Sequence, residues 1–140
     1  MKGIEVFAII FILSVCSCHD IWPDDQNIEF DGRWNNETKT FAWSGAGFRV
    51  AFIGSSFVKV IIKDLTAEPP AAFFNVIIDG SVVFEGENPI SGKGIVIEGL
   101  EKEKRHEMRV VKRTEASRGS NKFMKIELEE GSKTIPWKNR

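Results

Sequence analysis

Residues 74–84 read Phe-Asn-Val-Ile-Ile-Asp-Gly-Ser-Val-Val-Phe, and the fold class follows from this stretch. Phe74, Val76 and Ile78 alternate with Asn75 and Ile77, so every second side chain falls on one apolar face, the pattern of a half-buried strand. The run stops at Asp79-Gly80, a dipeptide that accepts positive φ at little steric cost, and Val82 to Phe84 resumes as the returning strand. This is a β-hairpin.

Working outward, Phe48, Val50 and Phe52 alternate with Arg49 and Ala51. Beyond Gly54-Ser55-Ser56, Val58, Val60 and Ile62 alternate with Lys59, Ile61 and Lys63. The spacing predicts a second hairpin, with one buried face, turning at Gly54. Residues 94–97, 107–113 and 123–128 supply further strands, and the mixed-charge segment 101–105 (EKEKR) supplies a solvated tip. No segment carries a helical period, and turn signals recur about every eight to twelve residues. The prediction is an all-β fold, an antiparallel β-sandwich of jelly-roll type spanning 28–137.

The sandwich must hold together without disulfides, because the only cysteines are Cys16 and Cys18. They follow an apolar run, Val6 to Val15 (VFAIIFILSV), which is half the roughly 20 residues a membrane-spanning helix needs and suits the core of an export signal. The sequence Val15-Cys16-Ser17-Cys18 resembles the bacterial lipoprotein box. Residues 1–17 then read as a signal peptide of lipoprotein type, with Cys18 as the lipidated residue; the other reading is an ordinary signal peptide with incidental cysteines. The expected location is outside the cytoplasm, lipid-anchored to a bacterial membrane or cell surface, or otherwise secreted. The polar, acidic segment 18–27 (CHDIWPDDQN) is expected as a tether.

With 19 basic and 20 acidic residues among 140, net charge −1, the chain has no electrostatic footprint for nucleic acid, and no nucleic-acid partner is expected. Catalytic patterns are also missing. The two histidines, His19 and His106, have no metal-ligand partner at i+2 or i+4, so no metal site is expected. No Gly-x-Ser-x-Gly elbow occurs, and Gly45-Ala46-Gly47 and Gly92-Lys93-Gly94 read as loops, not phosphate cradles. No cofactor is expected. The four tryptophans, in a chain without tyrosine, are the one pointer to a ligand. Sugar rings offer flat C–H faces that stack on exposed indoles. Trp34 and Trp43 are either core residues or such a platform, Trp22 falls in the tether, and Trp137 follows Pro136 near the C-terminus.

Five segments in order, 30–34 (FDGRW), 41–48 (FAWSGAGF), 52–56 (FIGSS), 76–80 (VIIDG) and 111–116 (VKRTEA), are similar to the N-terminal domain of carbohydrate esterase family 2. The resemblance runs over about residues 28–137. It implies a jelly roll followed by a C-terminal SGNH-type hydrolase domain, the pair deacetylating plant cell-wall polysaccharides such as xylan and glucomannan. In that family the nucleophile sits in a Gly-Asp-Ser motif beyond the jelly roll, so no catalytic residue carries over. The resemblance makes the chain a non-catalytic accessory domain, by itself not an enzyme, that supports or orients a hydrolase domain supplied elsewhere. The alternative is a free-standing carbohydrate-binding surface lipoprotein. A complete hydrolase would need a Ser–His pair that the sequence does not suggest. Arg33, Trp34, Trp43, Glu115 and Trp137 are the candidate contacts to polysaccharide or to the neighbouring domain. The accessory reading further predicts an exposed apolar face around Ile135 and Trp137.

Overall fold

The structure, a computed structural model, describes residues 18–65, 72–89, 93–116 and 119–137; the export signal expected over 1–17 lies outside these. Among the described residues, eleven strands make two antiparallel sheets. In chain order they are β1 (Cys18–Ile21), β2 (Glu29–Asp31), β3 (Thr40–Phe41), β4 (Gly47–Ile53), β5 (Val58–Asp64), β6 (Phe73–Ile78), β7 (Ser81–Glu87), β8 (Ile95–Ile97), β9 (His106–Lys112), β10 (Asn121–Glu129) and β11 (Lys133–Ile135). One sheet has the order β1-β10-β5-β8, with β3 pairing further along the same edge of β10 as β1. The other has the order β11-β4-β9-β6-β7, with β2 pairing along β4 beyond β11.

The inward residues of each strand are the apolar ones that set the alternation: Phe48, Val50 and Phe52 from β4, Val58, Val60 and Ile62 from β5, and Phe74, Val76 and Ile78 from β6, all buried. They meet in one core whose two sheets are joined by ring-to-ring contacts. Phe48 and Phe123 lie nearly parallel at 4.1 Å, and Phe41 meets Phe74 edge-on at 6.0 Å. Such pairs add to simple area burial.

The β6–β7 hairpin is as expected. Asp79 and Gly80 have φ of 53° and 86°, the paired left-handed conformations of a two-residue turn whose twist matches the strands. The predicted hairpin at Gly54 is not a hairpin. β4 and β5 lie in different sheets, so residues 54–57 carry the chain across the sandwich. Alternation shows which face is buried, and two strands facing one core from opposite sheets give the same signal as two neighbours in one sheet. The return crossing, from β10 to β11 through Gly131, runs alongside: a Cβ on Gly54 would lie 3.1 Å from Ser132 Cα. Residues 18–21, expected within a tether, form β1 instead, with Ile21 buried opposite Ile126 and Cys18 exposed opposite Glu129.

Candidate functional site

The loop between β3 and β4 presents Trp43. Four hydrogen bonds hold this loop. Within it, the Ala46 N–H donates to Trp43 O at 3.1 Å. Toward the end of β9, the Gly45 N–H donates to Lys112 O at 2.9 Å, the Lys112 N–H returns to Ala46 O at 2.9 Å, and Ser44 Oγ donates to Arg113 O at 3.3 Å. The indole is 53% exposed, and the Arg33 guanidinium carbon lies 5.2 Å from its ring centroid. The exposed indole thus projects from a backbone that is already tied down. Next to the loop, Arg113 donates to Glu85 Oε2 at 2.8 Å and Asn75 Oδ1 at 3.3 Å, tying the end of β9 to β6 and β7.

Trp34 is close in sequence but has a different role. Its Nε1–H is shared between Asp31 O and Gly47 O, both at 3.0 Å, and its ring packs on Phe41 at 4.3 Å and Phe30 at 4.7 Å. It belongs to the core rim, and its donor is already used. Glu115 stands exposed beyond β9. The fold therefore brings Arg33 and Trp43 together and leaves Glu115 and Trp137 outside that pair.

Among the described residues, no exposed apolar face forms around Ile135 and Trp137. Trp137 is 8% exposed, because β11 runs along β4 and returns the indole to Arg49, 5.6 Å from the ring centroid. Arg49 is itself held by Glu29 at 3.2 Å and Asp31 at 3.3 Å. Exposed apolar side chains lie instead on the β6–β7 hairpin, at Phe73, Val82 and Val83, and at Leu65 and Val96.

Three side chains take roles that the sequence does not suggest. Lys112 is 1% exposed, and its ammonium donates to Gly119 O at 2.7 Å. Burial pushes this lysine below its ordinary range, against a smaller opposing pull from Asp64. Its place in the inward series Met108, Val110, Lys112 was the available signal. His106, also buried, bonds Asp79 Oδ2 through Nδ1 at 2.7 Å and Glu101 O through Nε2 at 2.9 Å. Burial disfavours the Asp79 carboxylate, but the Glu107 N–H and His106 outweigh it and hold its pKa below the ordinary value. The third is Trp22, 53% exposed just after β1, with Lys125 Nζ 5.4 Å from its ring. Among the described residues neither histidine bonds a serine hydroxyl, and no three His, Cys, Asp or Glu side chains gather into a potential metal site.

The family described as Carbohydrate esterase 2 N-terminal matches residues 30–137. No curated protein matches the chain. Among solved structures, a family two carbohydrate esterase from Clostridium thermocellum in complex with cellohexaose superimposes with a TM-score of 0.63 at 24% identity, over 80% of this chain and 34% of that one. The family two carbohydrate esterase from Cellvibrio japonicus gives 0.67 at 18% identity, over 88% and 36%. A family 35 carbohydrate binding module from an environmental isolate gives 0.63 at 12% identity, over 86% of this chain and 99% of that one. At these identities the likeness is one of fold, and the chain spans about a third of the length of the two esterases.

Proposed function

This chain belongs to the carbohydrate esterase 2 N-terminal family, and on that premise we propose that it is an accessory β-sandwich that supports or orients an SGNH-type hydrolase domain acting on acetylated xylan or glucomannan. The observation that carries this reading is the extent of the match; with Trp137 buried, the apolar face expected near the C-terminus lends it no support. Residues 30–137 take in nearly the whole sandwich, while the chain corresponds to about a third of each two esterase structures compared. Assay of the purified chain for acetate release from acetylated xylan is expected to give the blank rate. Co-expression with a family two hydrolase domain is expected to yield a complex that raises that domain's melting temperature. Ester hydrolysis by the chain alone would overturn the accessory role.

A second reading is carbohydrate binding at Trp43 and Arg33. It is supported by the exposed indole and by the shared fold of a carbohydrate binding module that this chain matches over almost its full length. Titration with xylan, glucomannan and cellulose oligosaccharides should quench tryptophan fluorescence in the wild type and not in Trp43→Ala. No change at millimolar ligand would count against it. The proposed location, export with acylation at Cys18, rests on the sequence pattern of residues 6–18. Labelling with a fatty-acid analogue should mark the wild type and spare Cys18→Ser.

A further inference from the structure

The outer face of the five-stranded sheet carries a second aromatic-and-cation surface. Along β5 the outward side chains are Lys59, Ile61 and Lys63, and their register partners on β10 are Glu127, Lys125 and Lys122. Two of the four lysines are placed against a carboxylate: Lys59 is the register partner of Glu127, and Lys125 reaches Asp20 at 3.1 Å and Glu127 at 3.2 Å. Lys63 and Lys122 are not. They are direct cross-strand partners, Thr40 continues their row on β3, and among the described residues no carboxylate pairs with either. Asp64 and Asn121, next along the same strands, turn inward and bond each other. Like charges placed directly opposite on one sheet face are destabilising. The neighbouring row holds Trp22, at the point where β1 ends on the edge of β10 that β3 takes up, beside Lys125, whose partner on β5 is Ile61. At ~3.3 Å per residue the two rows lie about 7–10 Å apart, allowing for the bulge at Met124.

An exposed indole one row from two uncompensated ammonium groups fits a ligand that offers an apolar ring face and a carboxylate within the length of one or two sugar rings. We propose that this face binds an acidic polysaccharide, a chain bearing uronic acids, with Trp22 stacking on a sugar ring and Lys63 and Lys122 receiving carboxylates. A planar anionic membrane fits less well, because Asp20 and Glu127 lie on the same face and would be pressed against it. The inference is independent of the Trp43 platform, and the two are separated by their variants.

The test is isothermal titration of the wild type with oligogalacturonate and with neutral xylohexaose, at low and at 0.5 M salt. Oligogalacturonate is expected to bind, with affinity falling at high salt as the lysine–carboxylate attraction is screened, and xylohexaose to bind at this face at least tenfold more weakly. Lys63→Gln/Lys122→Gln and Trp22→Ala should each lose tenfold or more, while Trp43→Ala keeps full affinity for oligogalacturonate. The double lysine variant should also melt about 2 °C higher than wild type, since removing the opposed charges relieves repulsion; lost binding in a more stable protein cannot come from misfolding. Unchanged oligogalacturonate affinity in these variants overturns the proposal. So does binding to phosphatidylglycerol vesicles that depends on the same lysines while oligogalacturonate does not bind.

Discussion

Replacing Glu129 with Gln should loosen the corner at which the β4–β5 and β10–β11 connections pass between the sheets. The Glu129 side chain is 24% exposed, and it ends in three acceptor contacts. Oε1 receives the Ser56 N–H at 3.0 Å and the Ser56 hydroxyl at 2.8 Å, and Oε2 receives Lys102 Nζ at 2.7 Å. Its own N–H donates to Ser55 Oγ at 2.8 Å. These contacts, Lys102 first and Ser56 next, lower its pKa from 4.5 to about 2. At about 1.4 kcal/mol for each tenfold in proton affinity, that drop corresponds to ~3 kcal/mol as a ceiling. Lys102 is half exposed, so solvent screening brings the expected loss in Glu129→Gln to about 1–2 kcal/mol, a Tm decrease of about 4–8 °C for a domain of this size. The sign of the pH dependence follows from the depressed pKa. The carboxylate's contribution is fully present above the unfolded value near 4.5 and is lost as pH falls through about 2. The Tm gap between wild type and Glu129→Gln, followed by circular dichroism, should therefore be constant from pH 7 to about 5 and close progressively below that. A gap of the same size at pH 2.5 and pH 7, or no gap at neutral pH, would refute the assignment of this carboxylate as the clasp.

Gly80→Ala tests the hairpin turn: with φ of 86° and no atom within 4 Å of the added Cβ, its cost is backbone strain alone, about 1 kcal/mol, read as a Tm decrease of about 4 °C. Gly47→Ala should abolish folding, because the new Cβ would lie 1.8 Å from Val110 O, a backbone atom that no rotamer change can move; soluble expression and far-UV dichroism report it. Lys112→Met, which keeps the buried stem and removes the charge, should be neutral or stabilising, whereas Lys112→Ala should cost about 2–4 kcal/mol by denaturant melt. Because the folded pKa of Lys112 is lowered, the unfolded chain holds more protons between that value and 10.5. Its contribution to wild-type stability thus rises with pH in that window, and Lys112→Met should lack this rise.

Strand positions were legible wherever neighbouring residues dictate them. Asp79-Gly80 announces its own turn, and the alternations in β4, β5, β6, β9 and β10 mark their buried faces. What sequence could not convey is which sheet a strand joins. Ser55 and Ser56 look like local turn formers, yet their partner is Glu129, more than seventy residues away. β1 leaves little trace in the sequence because only Ile21 and His19 face inward among four residues, and its extended form comes from pairing with β10, not from its own composition. The tryptophans show the same limit in the candidate site. Trp34 and Trp43 have similar polar surroundings in sequence, and the difference between core rim and exposed platform is made by two carbonyls, Asp31 O and Gly47 O, that only the folded chain brings to one indole nitrogen.

The pairing of β1 has a mechanical side. Cys18 lies beside Glu129 at the corner where the crossings meet, and β11 leaves that corner toward Ile135 and Trp137 at the other end of the strands. A pull on Cys18 along the axis of β1 therefore runs parallel to the strands of its own sheet. It loads the four residue pairs joining β1 to β10 together, in shear, instead of unzipping them one at a time. β1 is thus attached in the geometry that best resists a lengthwise pull.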